Sequence, residues 1–517
     1  MTKTGFWKIA VPAILFVLLG AAFHFGYQNI SDADSFYHIR HAWVYRTQGL
    51  FDSSFPWTQF SVIRTLGADL WYGFHLLLIP FTYLADLLLG IRLAGVLITT
   101  GVLFIYYLLL RQLQIRFPLF WSLFLAFATT DMLFRLTMVR PHPITFALAA
   151  VLLYALAVKR WLLAALTSFS IAFLHLALSW VIIIVAAVVI LVQILYRVKI
   201  GWRSILAAFS GLIIGAFLRP APLSALKLAY IQVVQLIFVK KTGVPLRFGA
   251  ELGNADWSII SYQLIPILFL VLISFGFIVW LIINKKMSWL TEQNKIVLWS
   301  SLILSALFFI LTVAVARRSV DLWLSFTFLF FALLATVYLN QSKFLPRLSV
   351  IIMLGAAAFI FYNSFKLADF YHTQTIPPDS LKLVSDWLAQ YAEPKDIVIN
   401  LHWDDFGMLF FWNPKNYYLG GMDPIFQYTY RPDFYWANYF PETDKFFAEK
   451  NQIFTCREIR CTAEQIVDFH DFLAQELKAK YLLIEHHRNP KLKSAVDQLT
   501  TFKNVYQTES ETIYQIL

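Results

Sequence analysis

Long apolar stretches recur from residue 9 to about residue 366, and this constrains the fold more than any other feature. Backbone amides in hydrocarbon have no water to bond, so such stretches must close their hydrogen bonds within helices. At roughly 20 residues per crossing, residues 1–366 supply about eleven of them. Composition agrees. A soluble domain carries about 25% charged residues, whereas this chain of 517 residues is 59% hydrophobic and 14% charged. The expected fold is a polytopic α-helical membrane protein, placed as a multi-pass protein in the cell (plasma or inner) membrane. The formal charge of +11 then points to membrane lipids and phosphorylated lipid substrates. No Lys/Arg-rich run with interleaved aromatics supports a nucleic-acid partner.

Flanking cations set the expected topology. Residues 1–8 are short and basic, and the apolar run 9–25 reads as an uncleaved signal-anchor with a cytoplasmic N-terminus. Further spans are expected over 92–110, 117–133, 143–158, 161–178, 179–196, 204–218, 259–283, 296–315, 320–340 and 349–366. Turns carrying Arg111/Arg116, Lys159/Arg160, Arg197/Lys199/Arg203, Lys285/Lys286 and Lys343/Arg347 then face the cytoplasm. Arg135, Arg140, Lys240, Lys241, Arg247, Arg317 and Arg318 fall outside, against the rule. Either the topology differs or these cations have a job at the outer face. Two further apolar stretches, 71–90 and 223–239, are flanked or interrupted by Asp69, His75 and Asp86 and by Lys227, Gln232 and Gln235. Both read as helices lying at the membrane interface.

Composition changes near His372, which divides the chain into 1–371, with long loops 28–91 and 219–258, and an extracytoplasmic α/β domain over 372–517. Pro377-Pro378 breaks the border. Helices are expected at 380–391, 463–478 and 490–499, and strands at 396–400, 481–484 and near Val505 and Ile513. Cys456 and Cys461, with four residues between them, suit a local disulfide in an oxidising compartment, or two free thiols.

Chemistry is expected on the outer face, in four places. Asp34-Ser-Phe-Tyr-His-Ile-Arg40 follows the first span with Asp32 just before it, and a carboxylate beside hydrocarbon usually binds a cation or reacts. The loop from Arg219 to Trp257 carries Arg247, Glu251 and Asp256. Arg317-Arg318 sits at a helix boundary, where a guanidinium suits phosphate oxygens or snorkels to headgroups. His402-Trp403-Asp404-Asp405-Phe406-Gly407 follows an expected strand, as an acceptor or metal element or as an ordinary capped turn. The first two also have the bland reading of a solvated loop.

In this order the pieces resemble the catalytic subunit of oligosaccharyltransferases, within the GT-C class of lipid-sugar-dependent glycosyltransferases. Asp34-Ser-Phe-Tyr-His-Ile-Arg40 is similar to that family's first-loop motif, Ala250-Glu251 to the end of its Ser-Val-Ala/Ser-Glu element, Arg318 to its lipid-diphosphate arginine, and Trp403-Asp404-Asp405-Phe406-Gly407 to its Trp-Trp-Asp-Tyr-Gly element. The resemblance implies transfer of a sugar or oligosaccharide from a polyprenyl-(di)phosphate to an acceptor, with inversion. It makes Asp34 and Glu251 catalytic, holding Mg²⁺ or Mn²⁺ together with His142. It assigns Arg318, Arg317, His38 and Arg40 to the lipid phosphate, and Trp403, Asp404 and Asp405 to the acceptor. Two departures stand out. The second outer loop, 135–142, lacks the family's carboxylates, Asp131 being the nearest, and His402 alters the acceptor-reading element. The acceptor is therefore left open among protein, glycan and lipid. Competing classes are an inactive binding relative of the same fold and a membrane transporter, which would place ionisable groups at the midplane. Within the expected spans only His175 is such a group.

Overall fold

The computed structural model describes residues 3–283, 290–341, 355, 358–359, 362–363, 365–366, 375–449 and 451–517. Among the described residues, six helices are long and apolar enough to cross a membrane: Phe6–Phe25, Leu87–Gln112, Leu176–Leu195, Pro222–Lys241, Glu292–Ala314 and Arg317–Val337. Counting one bent pair as a single span makes seven. The chain is membrane-embedded, but helices of spanning length fall short of about eleven because several expected spans are short or broken. The span expected over 117–133 is two helices, Pro118–Ala126 and Thr130–Leu136, bent by 96°. Thr129 causes the restart: its side chain accepts from Met132 N–H at 3.0 Å, capping the second helix. His142–Ala157, Trp161–Leu174 and Trp202–Phe217 are apolar but shorter. The expected span 259–283 is helical throughout, with a π-helical turn Ile260–Leu264 leading into the α-helix Ile265–Ile283, and most of 349–366 lies outside the described residues.

The two stretches expected at the interface part company. Residues 71–90 form the short helix Tyr72–Leu78, a 3₁₀ turn Ile79–Tyr83 and the start of Leu87–Gln112. The other stretch lies within Pro222–Lys241, which by length and hydropathy is a span rather than an interfacial helix; Gln235 donates to Thr429 Oγ1 at 3.0 Å. A π-helical turn, Ile231–Gln235, widens this helix at Gln232. Such bulges recur at functional sites.

The C-terminal region is α/β. A five-stranded sheet has the order β2 (Tyr417–Tyr418), β1 (Ile397–Asn400), β6 (Tyr481–Glu485), β8 (Glu511–Ile516), β7 (Phe502–Gln507). Neighbours β2, β1 and β6 are parallel, and β8 and β7 are antiparallel additions. A second, antiparallel sheet joins β3 (Phe447–Glu449), β4 (Gln452–Cys456) and β5 (Ile466–Asp468). The helix expected over 463–478 is therefore a 3₁₀ turn, strand β5 and a short, partly π-helical segment. Strand β5 forms because residues 466–468 pair with β4 across the turn that the Cys456–Cys461 disulfide closes.

This region is docked tightly on the rest. Residues 57–60 add to the exposed edge of β2, with Gln59 N–H donating to Tyr418 O and Phe60 N–H to Leu419 O, both at 2.9 Å. One hydrophobic core runs from the bundle through Phe36, Phe55 and Trp57 into Phe406 and Phe410. The helix Ala33–Gln48 lies between them, and Phe406–Trp412 packs across it so closely that a Cβ at Gly407 would meet Ala33 O at 2.5 Å. Backbone cannot yield there. Gly407→Val is expected to cost about 1–3 kcal/mol and to lower the melting temperature in detergent. Gly101→Ala, with open space around it, is the control that leaves it unlowered.

Candidate functional site

The break after Ala126 turns Thr130–Leu136 so that Arg135 faces inward, and the connection 137–141 carries Arg140 to the first turn of Ala33–Gln48. Asp32 occupies the N-cap position of that helix but caps no backbone amide. Its carboxylate is spent on Ser35 Oγ and on Arg140 Nε. Arg140 Nη2 binds Asp34 Oδ2 at 2.9 Å, and Arg140 Nη1 lies 3.2 Å from Glu251 Oε1. Glu251 comes from the short turn Ala250–Leu252. It also pairs with Arg135, and with Arg318 Nη1 at 3.5 Å. His142 opens the next helix, and its two ring nitrogens face Arg318 Nη2 at 3.1 Å and Arg135 Nη1 at 3.5 Å. Asp321 completes the cluster, 3.6 Å from Arg135 Nε.

The expected residues Asp34, Glu251, His142 and Arg318 are thus brought together, beside Arg135 and Arg140. These two were legible only as cations on the wrong side of the positive-inside count. Burial pushes the Asp34 carboxyl up, Arg140 draws it back and Asp32 and Glu251 raise it again, to about 6. Burial also raises Glu251, but Arg135, Arg318 and Arg140 outweigh it and hold the group well below the usual carboxylate range.

A resident Mg²⁺ or Mn²⁺ ion does not fit these residues. Both oxygens of Glu251, one of Asp34 and both nitrogens of His142 already face guanidinium groups. A divalent ion among them would stand against three arginines, where hard cations take oxygen ligands and water. The arginines themselves supply the positive charge.

Two cavities meet here. One, of about 300 Å³, is walled mainly by apolar side chains including Phe146, Trp180, Ile184, Leu236 and Leu311, with His175 and Asp321 at its polar end. The other, of about 100 Å³, is polar and holds Asp34, His38, Arg140, Glu251, Trp403 and Asp423 in its wall. His142, Gln232, Leu252 and Arg318 line both. Arg318 Nε has no partner among the described residues, which leaves a donor at the junction.

No family model matches the chain, and no curated protein matches it.

The remaining expected site residues lie elsewhere or serve differently. Arg40 points to the C-terminal region, donating from Nε to Phe411 O at 2.7 Å and lying over the Trp43 and Phe411 rings. It is pinned away from the phosphate position because a buried carbonyl claims it first. Arg317 binds Asp131, Nε to Oδ2 at 2.7 Å, and lines neither cavity. Asp404 and Asp405 both bind Arg488, at 2.8 and 3.0 Å, and so turn from the chamber. Only Trp403 of that trio reaches the polar wall, fixed by its indole N–H to Arg247 O. His38 also reaches that wall. Asp423, unmarked in the sequence, stands there too, with its carboxyl raised by burial to about 7 despite the Ile425 N–H it accepts.

Arg140 pairs with three carboxylates at once, so Arg140→Met leaves buried charge unpaired. The expected loss is about 3–5 kcal/mol, measured as thermal stability in detergent, with partial recovery when Asp32→Asn is added.

Proposed function

We propose that this chain transfers a sugar or oligosaccharide from a polyprenyl phosphate or diphosphate carrier to an acceptor at the face of the membrane that bears the C-terminal region. The observation that carries this reading is the junction of an apolar cavity and a polar chamber at Arg318. An amphiphile with a long hydrocarbon tail and an anionic linkage is the ligand whose two halves match those two environments. The guanidinium fork binds phosphate oxygens, and the apolar cavity takes the first isoprene units next to it. The sugar then lies in the polar chamber against Trp403, Asp34 and Asp423. The first-loop and Arg318 resemblance to oligosaccharyltransferases supports the same reading, with a GT-C-like fold that uses short and broken helices among its crossings.

Chemically, the acceptor oxygen or nitrogen attacks the anomeric carbon from the side opposite the phosphate, so inversion is expected. The bond to phosphate breaks and its electron pair leaves with the phosphate. Arg318 and Arg140 meet the charge that develops there, already oriented by Glu251, Asp34 and His142, which is the economy of a preorganised polar site. Glu251 in this reading is a positioning residue for the arginines. Asp34 fixes Arg140 and presents its second oxygen to the sugar.

The test is release of sugar from extracted native polyprenyl-linked glycans by the purified protein. Release is expected both with Mn²⁺ and with EDTA, and is expected to fall by about 10²–10³-fold in Arg318→Ala and to be lost in Asp34→Ala. No release from folded protein given its own organism's lipids would leave a binding protein of the same architecture. Full activity in Asp34→Ala would remove that residue from the site.

A pH dependence follows from the chamber acids. Asp34 and Asp423 bind their protons up to about 6 and about 7. As pH rises through that range the chamber gains negative charge beside the phosphate. Affinity for the anionic donor is therefore expected to be greatest below about pH 6 and to weaken toward about pH 8, as read by titration with donor lipid in detergent.

A further inference from the structure

Beside the arginine cluster lies a second set of buried polar groups that phosphate binding does not use. The helix Val62–Leu66 ends at Gly67, whose left-handed φ of 53° lets its N–H close on Ile63 O. The turn that follows sets Asp69 beneath the short helix Tyr72–Leu78. There Asp69 Oδ1 accepts from Trp71 N–H at 2.8 Å, and Oδ2 accepts from Tyr45 O–H at 3.1 Å. His75 Nδ1 lies 2.6 Å from the same Oδ2, and His75 Nε2 lies 2.8 Å from His38 Nδ1. His38, His41 and Tyr45 recur on one face of Ala33–Gln48 at helical spacing, which is why all three meet His75.

Hydrogen-bond chemistry orders this chain. A carboxylate only accepts, so His75 Nδ1 carries a proton. In its neutral Nδ1–H tautomer, taken as the resting form, His75 accepts at Nε2 and His38 Nδ1 donates to it. That leaves Nε2 of His38 as a bare, basic nitrogen, on a residue that lines the polar chamber. We propose that His38 is the general base of the transfer, backed through His75 by Asp69, and that the acceptor is a hydroxyl compound. This rests on the sugar-transfer reading of the same chamber. The acceptor O–H bond breaks as a proton moves to His38 Nε2. The Nδ1 proton of His38 passes to His75 Nε2, and the positive charge comes to rest on His75 against the Asp69 carboxylate. The freed oxygen pair forms the bond to the anomeric carbon, and the carrier phosphate leaves with the electron pair of the bond it loses.

The surroundings favour this direction of proton flow. His38 is faced by Arg140, His41 and His175 besides His75, and burial together with these neighbours holds it neutral, well below the ordinary histidine range. Asp69 is faced by Tyr45, His41 and His75, with Tyr37 and Tyr72 nearby, and Arg219 ties down its backbone carbonyl at 3.1 Å. The two chamber acids placed to take a proton are already engaged, Asp34 at Oδ2 by Arg140 and Asp423 at Oδ1 by Ile425 N–H. His41, Asp69 and His75 offer ligand atoms within 4.8 Å of one another. However, two ligands on one tetrahedral zinc stand about 3.3 Å apart, and the 2.6 Å between His75 and Asp69 is the spacing of a shared proton.

The experiment measures sugar release with water, and then glycerol, as the acceptor, across pH. In the native protein kcat is expected to rise with pH through one inflection. His38→Gln is expected to lose about 10²–10⁴-fold in kcat, with no inflection and unchanged donor affinity. Asp69→Asn is expected to lose at least about tenfold and to move the inflection to lower pH, since the charged imidazole has lost its counter-ion. Nitrogen-15 spectra of histidine-labelled native protein, which need no variant to fold, are expected to show His38 protonated on Nδ1 alone. Native kcat in His38→Gln, a proton on His38 Nε2 at rest, or stoichiometric zinc that His41→Ala removes would each overturn the relay while leaving sugar transfer standing. Failure of the native protein to release sugar would overturn the sugar-transfer reading itself and the catalytic role of His38 with it.

Discussion

One guanidinium organises this molecule. Arg140 lies between Asp32, Asp34 and Glu251, three carboxylates from two distant parts of the chain. Burying any one of these charges alone would be costly, and only near-ideal mutual pairing makes their burial tolerable. The pairing therefore dictates where three segments stop: the first turn of Ala33–Gln48, the connection before His142 and the turn at Ala250–Leu252. Arg135 and Arg318 extend the same balance to Glu251 and Asp321. Sparse charge in a largely apolar chain has been gathered at one place, and the local fold accommodates it by breaking helices.

Those breaks give the site its two characters. Where the helix over residues 117–133 bends by 96°, Arg135 turns inward. Where Pro222–Lys241 widens into a π turn, Gln232 reaches the wall shared by the apolar and polar cavities. Unbroken helices would have left a uniformly apolar groove. The docked C-terminal region supplies Trp403 and Asp423 to the polar wall and is held there by backbone pairing to residues 57–60 and by the Gly407 contact. Composition separates the two regions near His372, but hydrophobic packing joins them.

Much of this was legible along the chain. Hydropathy showed that the chain is membrane-embedded though not each span, the order of strands and helices showed four of the five strands of the large sheet, and the motif containing Asp34 and His38 supplies two residues of the polar wall. The cations that broke the positive-inside count proved the better signal. Arg135 and Arg140 were misfits on a one-dimensional tally because their partners, Glu251 and Asp34, lie about a hundred residues away. Asp404 and Asp405 likewise have a partner far along the chain, Arg488, and pairing with it turns them from the chamber. The missed strand β5 belongs to the same class, since its pairing with β4 is decided across the Cys456–Cys461 turn rather than by its own residues.

The sequence by itself determined that the chain is embedded in a membrane and that its C-terminal region is α/β. These follow from hydropathy and residue type, which are local properties. Tertiary structure alone decided that Arg140 stands between three carboxylates, and that Asp69, His75 and His38 form one line of hydrogen bonds. Both are distances between groups far apart in sequence. At a separation of about 3 Å the same side chains become an ion pair or a proton path; a few ångströms more and they are solvated neighbours.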